Sequence, residues 1–121
     1  MHSCGFVEPL LPDMVDAGID CLDPIDPGAG LDLATIKRSH GGRICLKGNV
    51  DCAGVLPSGA PDEVAAATRE CIEAAEANGG YILSSSNTIH RGVKPENYRA
   101  MLQALREYGK YPELGSEPNA L

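Results

Sequence analysis

The sequence predicts an α/β fold of barrel-derived layout, built on parallel strands. Short apolar segments alternate along the chain with segments of helical periodicity. Glycine or proline residues mark the junctions between these segments. Alternation of this kind forms right-handed βαβ units, whose strands run parallel. The 121 residues hold about three such units, whereas a closed eight-stranded barrel needs ~250 residues.

The first elements are predicted from the apolar spacing and from the residues that interrupt it. Residues 8–17 carry apolar side chains at helical spacing and stop before Gly18, a residue suited to the position just past a helix. Residues 19–23 alternate apolar and acidic side chains, which predicts a short strand, and a loop rich in proline and glycine follows. Residues 31–40 predict a second helix, because their basic end suits the negative pole of the helix dipole.

The later elements follow the same order. Residues 43–48 are brief and apolar, which is typical of a buried parallel strand. Residues 61–78 predict a long helix, with proline at its start, acidic residues in its first turn and one apolar stripe. A third strand is predicted at 80–84, and Pro95 opens a final helix. We expect one domain over 1–112, followed by a tail, 113–121, that frays.

Composition excludes several classes of function. The chain has 10 Lys and Arg against 17 Asp and Glu, a net charge of −7, so a phosphate backbone or an anionic membrane would repel it. It lacks the run of ~18 apolar residues that a membrane span requires. Five cysteines without a CxxC pair or a signal peptide predict a reducing, cytoplasmic location rather than a disulfide framework.

A possible metal site lies at the start of the chain. In an extended segment, residues i and i+2 point to the same side, so His2 and Cys4 would present an imidazole and a thiolate together. That pair suits zinc, although a zinc centre needs three or four ligands. The alternative is a strand end followed by a glycine turn. Because Met1 directly precedes His2, we expect this segment to end an upstream strand and the chain to be a C-terminal fragment.

Polar residues also gather where the predicted strands end, the edge at which ligands bind in parallel α/β folds. Each has a structural alternative: an acid can cap a turn, an asparagine can hold a left-handed backbone, and serines can bond loop amides. Lys47 can extend along the surface or hold an anionic substrate. The other members are Asp23, Asn49, Asp51, Cys52, Ser84, Ser85, Ser86, Asn87 and His90.

The remaining cysteines fall in apolar surroundings. Cys21 and Cys45 lie inside predicted strands, and Cys71 lies in the apolar stripe of the long helix. A free cysteine in such a place usually behaves as a small buried hydrophobic residue. We therefore expect these three thiols to be buried.

An ordered set of motifs resembles the C-terminal part of the uroporphyrinogen decarboxylase superfamily. The set spans residues 2–112 and consists of HSCG, GIDCLDPI, DLATIKRSHGGRICLKGNVDCAGVL, PDEV, GGYIL, KPENYRAM and YGKYP. The resemblance implies a (β/α)8 TIM barrel, of which this chain would hold the end of the fifth strand and units six to eight. The upstream half, which carries the arginine-rich segment and the aspartate of true decarboxylases, is not in this chain.

Within that superfamily, the motif at the start of the chain favours the cobalamin-dependent methyltransferase branch. There a His-x-Cys motif and a cysteine after the last strand bind zinc, which activates a thiol. His2 and Cys4 match the first two positions, and the third falls at Asn87. A zinc site would have to recruit Cys52, Asp51 or His90, or a group outside this chain.

The resemblance thus implies transfer of a methyl group between a corrinoid, such as methylcobalamin, and a zinc-activated thiol. We assign catalytic roles to Asp23, Asn49, Asp51 and Asn87, substrate binding to Lys47, Ser84, Ser85, Ser86 and His90, and metal binding to His2, Cys4 and Cys52. One alternative is uroporphyrinogen decarboxylase of porphyrin biosynthesis, which needs no cofactor. Another is a truncated barrel without activity of its own.

The partners expected follow from the same interpretation. They are a small-molecule substrate or a corrinoid protein, and either the missing N-terminal barrel half or a second copy of the chain. We expect the isolated chain to be inactive, because a barrel site draws its groups from several strands held in register by closure.

Overall fold

A computed structural model describes residues 1–110 and contains a three-stranded sheet. The strands are β1 (Cys21–Ile25), β2 (Cys45–Val50) and β3 (Tyr81–Ser85), in the order β1-β2-β3. Both neighbouring pairs run parallel, which confirms the predicted strand direction. The predicted tail, 113–121, lies outside the described residues.

Five α-helices within the described residues connect and flank the strands. A short 3-10 turn at Glu8–Leu10 leads into the first helix, and another at Pro27–Ala29 follows β1. The helices are α1 (Leu11–Asp16), α2 (Leu33–His40), α3 (Val55–Ser58), α4 (Pro61–Ala75) and α5 (Pro95–Tyr108). Within residues 1–110, none of them is long and apolar enough to cross a membrane.

The strands run further toward their carboxyl ends than predicted. β1 covers Cys21–Ile25 rather than 19–23, and β2 reaches Val50 rather than residue 48. Pairing continues because ladder hydrogen bonds use the backbone and therefore accept polar side chains, as in the pair Asn49 with Ser84. Residues expected to follow the strands, such as Asp23, thus lie within the strands themselves.

Two helix boundaries also differ from the prediction. α4 ends at Ala75 rather than at residue 78, because Asn78 adopts a left-handed φ of 61° and the two following glycines have φ of 68° and 69°. The start of α4 is as predicted, with Pro61 at its first position and the Glu63 carboxylate accepting the Ala60 N–H at 2.7 Å. Helix α3 was not predicted, because four residues are too few to show a periodicity.

In the part of the chain that the structure describes, the helices cover only one face of the sheet. Leu22, Leu46 and Val50 point to that face and are fully buried against a core that includes Val64 of α4 and Met101 of α5. The opposite face carries Cys21, Cys45, Asp23, Lys47 and Ile82. Ile82 is 49% exposed, and the other four side chains are half-buried. The prediction that Cys21 and Cys45 are buried is therefore wrong, because the alternation of a strand turns them to the uncovered face.

The start of the chain pairs with β1. His2 forms a parallel bridge with Asp23, in which the Ser3 N–H donates to the Asp23 carbonyl at 2.8 Å and the Asp23 N–H donates to the Met1 carbonyl at 2.9 Å. The segment of residues 1–3 thus lies beside β1 as one more parallel neighbour. This placement agrees with the expectation that His2 stands at the end of a strand.

Candidate functional site

A polar groove of about 290 Å³ opens at the carboxyl ends of the strands, on the face that the helices leave uncovered. Most of the side chains that line it were predicted as site residues. They are His2, Asp23, Lys47, Ser84, Ser85 and Asn87, together with Thr88 and Ile89. Sequence reasoning missed the last two, although both directly follow Asn87 after β3.

A row of three side chains lies at one end of this groove. The Asp23 carboxylate accepts a hydrogen bond from His2 Nδ1 at 2.9 Å, and His2 Nε2 lies 3.3 Å from the sulfur of Cys4. A carboxylate can only accept, so Nδ1 carries a ring proton, and in the neutral ring Nε2 then presents its lone pair to the sulfur. The row therefore fixes both the orientation and the tautomer of the imidazole.

Asn87 reaches the same sulfur from the loop after β3. Its Nδ2 donates to Cys4 Sγ at 3.6 Å, while its Oδ1 accepts the Thr88 N–H at 2.8 Å. The second contact orients the amide, so that the nitrogen rather than the oxygen faces the sulfur. The structure thus brings together the three positions that the motif comparison aligned, His2, Cys4 and Asn87, although Cys4 and Asn87 are 83 residues apart in the sequence.

Lys47 approaches Asp23 from β2. Its Nζ lies 3.4 Å from the second carboxylate oxygen, and the lysine side chain is 38% exposed to the groove. Partial burial by itself raises the pKa of Asp23, but the hydrogen bonds from His2 and Lys47 outweigh it and lower this pKa below its usual value. Asp23 is therefore a carboxylate at neutral pH and can hold both neighbours.

Three other predicted residues, Cys52, Ser86 and His90, form a separate cluster that joins the loop after β2 to the loop after β3. The Ser86 hydroxyl accepts the Cys52 N–H at 3.1 Å and lies 3.4 Å from the Cys52 sulfur, and both residues are buried. His90 Nε2 donates to the Cys52 carbonyl at 2.9 Å, and its Nδ1 accepts the Gly92 N–H at 3.1 Å. Their side chains bond each other and the backbone, so the structure does not bring them to the groove lined by His2.

Asn49 and Asp51 are also separated from this groove. Both line a second groove, of about 380 Å³, on the helix side of the sheet. Asn49 donates to the Ile25 carbonyl at 2.7 Å and lies 3.7 Å from the sulfur of Cys71 in α4. Gly48, with a φ of 137°, lies where β2 passes close to the backbone of Ile25. A Cβ at that position would lie 3.0 Å from the backbone nitrogen of Ile25, so only glycine fits.

The donor set at Cys4 does not complete a zinc centre. Catalytic zinc takes three protein ligands and a water or substrate. His2 Nε2 and Cys4 Sγ face each other suitably, and Asp23 orients the imidazole as outer-sphere carboxylates do in zinc sites. At the third position Asn87 offers an amide N–H. Across residues 1–110, no three His, Cys, Asp or Glu side chains converge on one point.

Most of the chain matches a known protein family and individual members of it. The family model of uroporphyrinogen decarboxylase (URO-D) matches residues 1–108. A methylated-thiol–coenzyme M methyltransferase of Methanosarcina mazei is 29% identical over 110 residues, which are 88% of this chain and 27% of that protein. A uroporphyrinogen decarboxylase of Thioalkalivibrio sulfidiphilus is 29% identical over 100 residues, which are 79% of this chain and 26% of the relative.

A solved structure also resembles this chain. A methyltransferase from Methanosarcina mazei superimposes with a TM-score of 0.75 and 30% identity, covering 90% of this chain and 31% of that chain. The chain therefore spans about a quarter to a third of the proteins that it matches. The predicted fold, a parallel α/β portion of a TIM-barrel-like protein, is confirmed, and the chain belongs to the uroporphyrinogen decarboxylase family.

Proposed function

We propose that this chain forms the thiol-handling part of an enzyme that transfers a methyl group between a thiol and a corrinoid. The observation that carries the proposal is the row formed by Asp23, His2 and Cys4. Decarboxylation needs no thiol at this place. A methyl acceptor, in contrast, must be a thiolate, because the thiolate is the nucleophilic form of sulfur. The similarity to a methylated-thiol–coenzyme M methyltransferase supports the same branch.

In this proposal the row prepares a sulfur nucleophile. Asp23 holds the Nδ1 proton of His2, so that Nε2 is free to accept the proton of a thiol. Cys4 lies 3.3 Å from Nε2, and the amide of Asn87 donates to its sulfur from the other side, so a substrate thiol that enters beside Cys4 would give its proton to Nε2 and accept the methyl group as a thiolate. Because residues 1–110 supply only two of the ligands that zinc needs, we assign no step to that metal.

Lys47 and the serines of β3 serve as binding groups. The lysine shares the Asp23 carboxylate but keeps part of its ammonium surface open to the groove. The hydroxyls of Ser84 and Ser85 line the same groove, although each is already donating to a backbone carbonyl. We propose that this wall holds the polar or anionic end of the substrate, while the reacting atom lies beside Cys4.

A complete site requires more than this chain. The matched relatives are three to four times as long, so the remaining groups would come from outside these residues. Displacement of reacting groups by even ~1 Å can cost ~100-fold in rate. We propose that the open edges of the sheet pair with the rest of a barrel, or with a second copy, when the site is assembled.

Decarboxylation of a porphyrinogen is the second candidate. Two matched relatives are uroporphyrinogen decarboxylases, 29% and 26% identical to this chain. The Asp23–Lys47 pair is the feature that would serve this reaction, because a carboxylate stabilises a cationic intermediate and an ammonium holds a substrate carboxylate. In this case Cys4 would be dispensable.

A chimera tests the two candidates directly. Residues 1–110 replace the corresponding segment of the Methanosarcina mazei methyltransferase, with which they superimpose. We expect methyl transfer from methylcobalamin to a thiol, at least ~100-fold slower in Cys4→Ser and His2→Ala variants, since each removes a group that borders the reacting sulfur. Cys71→Ala, a change in the helix far from the groove, is the matched control. Decarboxylation of uroporphyrinogen that survives Cys4→Ser, without methyl transfer, would refute the first candidate.

A further inference from the structure

Two cysteines outside the groove stand directly opposite each other. Cys21 and Cys45 are the first residues of β1 and β2, and the register pairs them. Both are free and half-buried on the face of the sheet that the helices leave uncovered. Two residues of strand, ~6.6 Å, separate Cys21 from the level of Asp23 in the groove. The pair is therefore distinct from the row that contains Cys4.

The two thiols interact with each other, and the charges of the N-terminal ammonium and of Asp23 also act on Cys21. Burial, and then the charge and hydrogen bonding of the Cys45 thiol, raise the pKa of Cys21. Each sulfur otherwise has one long contact, at 3.8 Å, to the carbonyl of the next residue in its own strand. A hydrogen bond of that length, donated by a thiol to a carbonyl, is weak, so both sulfurs are available to a ligand.

The spacing of the strands decides what kind of link the pair can form. The Cβ atoms of directly opposite residues on neighbouring strands lie ~4.5–5.5 Å apart, whereas a disulfide prefers a Cβ···Cβ distance of ~3.8 Å. A direct bond would therefore require the strands to approach by ~1 Å within a continuous parallel ladder. An ion placed between the sulfurs lengthens the link by one atom and removes this strain.

We propose that Cys21 and Cys45 form a two-thiolate site for a soft monovalent cation, Cu(I). Soft thiolate ligands favour Cu(I) and Zn(II). Zinc demands a tetrahedron, and the described part of the chain brings no third His, Cys, Asp or Glu to this pair. Cu(I), a closed-shell ion, is satisfied by two sulfurs. On binding, two S–Cu bonds form, two thiol protons leave to solvent, and no group changes its oxidation state.

The test is an anaerobic titration of the 121-residue chain with Cu(I) in the presence of the chromophoric competitor bicinchoninate. We expect one equivalent to be withdrawn from the competitor. Cys21→Ser and Cys45→Ser should each weaken this binding at least ~10-fold, because each removes one of two ligands. Cys71→Ala is the matched control, since its thiol lies on the buried side of α4, and it should bind as the parent chain does. Circular dichroism of each variant shows whether it folds.

Two outcomes would overturn the proposal. The first is failure of the parent chain to withdraw copper from the competitor. The second is loss of copper binding in Cys4→Ser while Cys21→Ser binds as the parent chain does, which would place the ion at His2. A second measurement does not depend on the serine variants. Cu(I) should slow alkylation of Cys21 and Cys45 in the parent chain at least ~10-fold, as mapped by mass spectrometry, and equal alkylation with and without copper would also refute the site.

Discussion

Replacing Asn87 by cysteine tests whether the end of the groove is a zinc site that lacks one ligand. Asn87 is exposed, and its amide nitrogen lies 3.6 Å from Cys4 Sγ. A cysteine sulfur would occupy nearly the place of the amide carbon, and it would remove the N–H that now points at Cys4. Asn87→Cys should therefore convert two ligands into three without disturbing the core.

The magnitude follows from the geometry. Zinc bonds of ~2.05 Å to nitrogen and ~2.3 Å to sulfur at a tetrahedral angle separate the two donors by ~3.5 Å. His2 Nε2 and Cys4 Sγ are already 3.3 Å apart, so little rearrangement is needed. Four-ligand zinc sites bind with ~10–16 kcal/mol, or ~2.5–4 kcal/mol per ligand. We expect Asn87→Cys to raise zinc affinity ~100-fold or more over the weak binding of the parent chain.

The assay is a titration of the reduced chain with Co(II), followed by displacement with zinc. Thiolate-to-cobalt charge-transfer absorption should increase in Asn87→Cys and disappear when Cys4→Ser is added. Thr88→Cys is the matched control, because it introduces the same thiol one residue away. If Asn87→Cys and Thr88→Cys bind zinc equally, the three positions do not converge as described and the reasoning is refuted.

Three further predictions concern the cap of α2, the row at Cys4 and the isolated chain. Asp32 caps α2 by accepting the Thr35 N–H at 2.8 Å, so Asp32→Ala should lower the free energy of unfolding by ~1 kcal/mol, whereas Asp32→Asn retains the cap. Hydrogen bonding to Thr35 lowers the pKa of Asp32 from its ordinary 3.8, so its contribution is present above about pH 4 and is lost as the pH falls through the lowered pKa. Urea unfolding at pH 6 and pH 3 measures this, and an equal pH effect in Asp32→Asn would contradict it. Asp23→Asn should slow alkylation of Cys4 by iodoacetamide several-fold at pH 7, because the amide no longer holds His2 in the tautomer that accepts the thiol proton; an unchanged rate, mapped by mass spectrometry, would argue against the row. The purified 121-residue chain should run larger than 12.7 kDa on sizing and show neither methyl transfer nor decarboxylation, since open sheet edges favour association; turnover by a monomer would overturn this.

Much of the fold could be predicted from local features. The alternation of strands and helices, the parallel direction and the start of α4 at Pro61 depend on periodicity and on residues such as proline and glycine, which act within a few positions. The motif comparison also identified Asn87 as the third position, and the structure brings it to Cys4. Local signals sufficed wherever the cause lay within one element.

The tertiary structure decided which of the predicted site residues meet. Asn49 donates to the Ile25 carbonyl of β1 and lies 3.7 Å from the sulfur of Cys71 in α4, and a period-two pattern cannot show such contacts between elements. Cys52 and His90 bond each other across 38 residues instead of joining His2. Hydrogen bonds between distant segments depend on how the elements pack, whereas the order of those elements depends on the sequence near each one. The sequence alone therefore determined the fold class and the candidate residues, and only packing determined their partners.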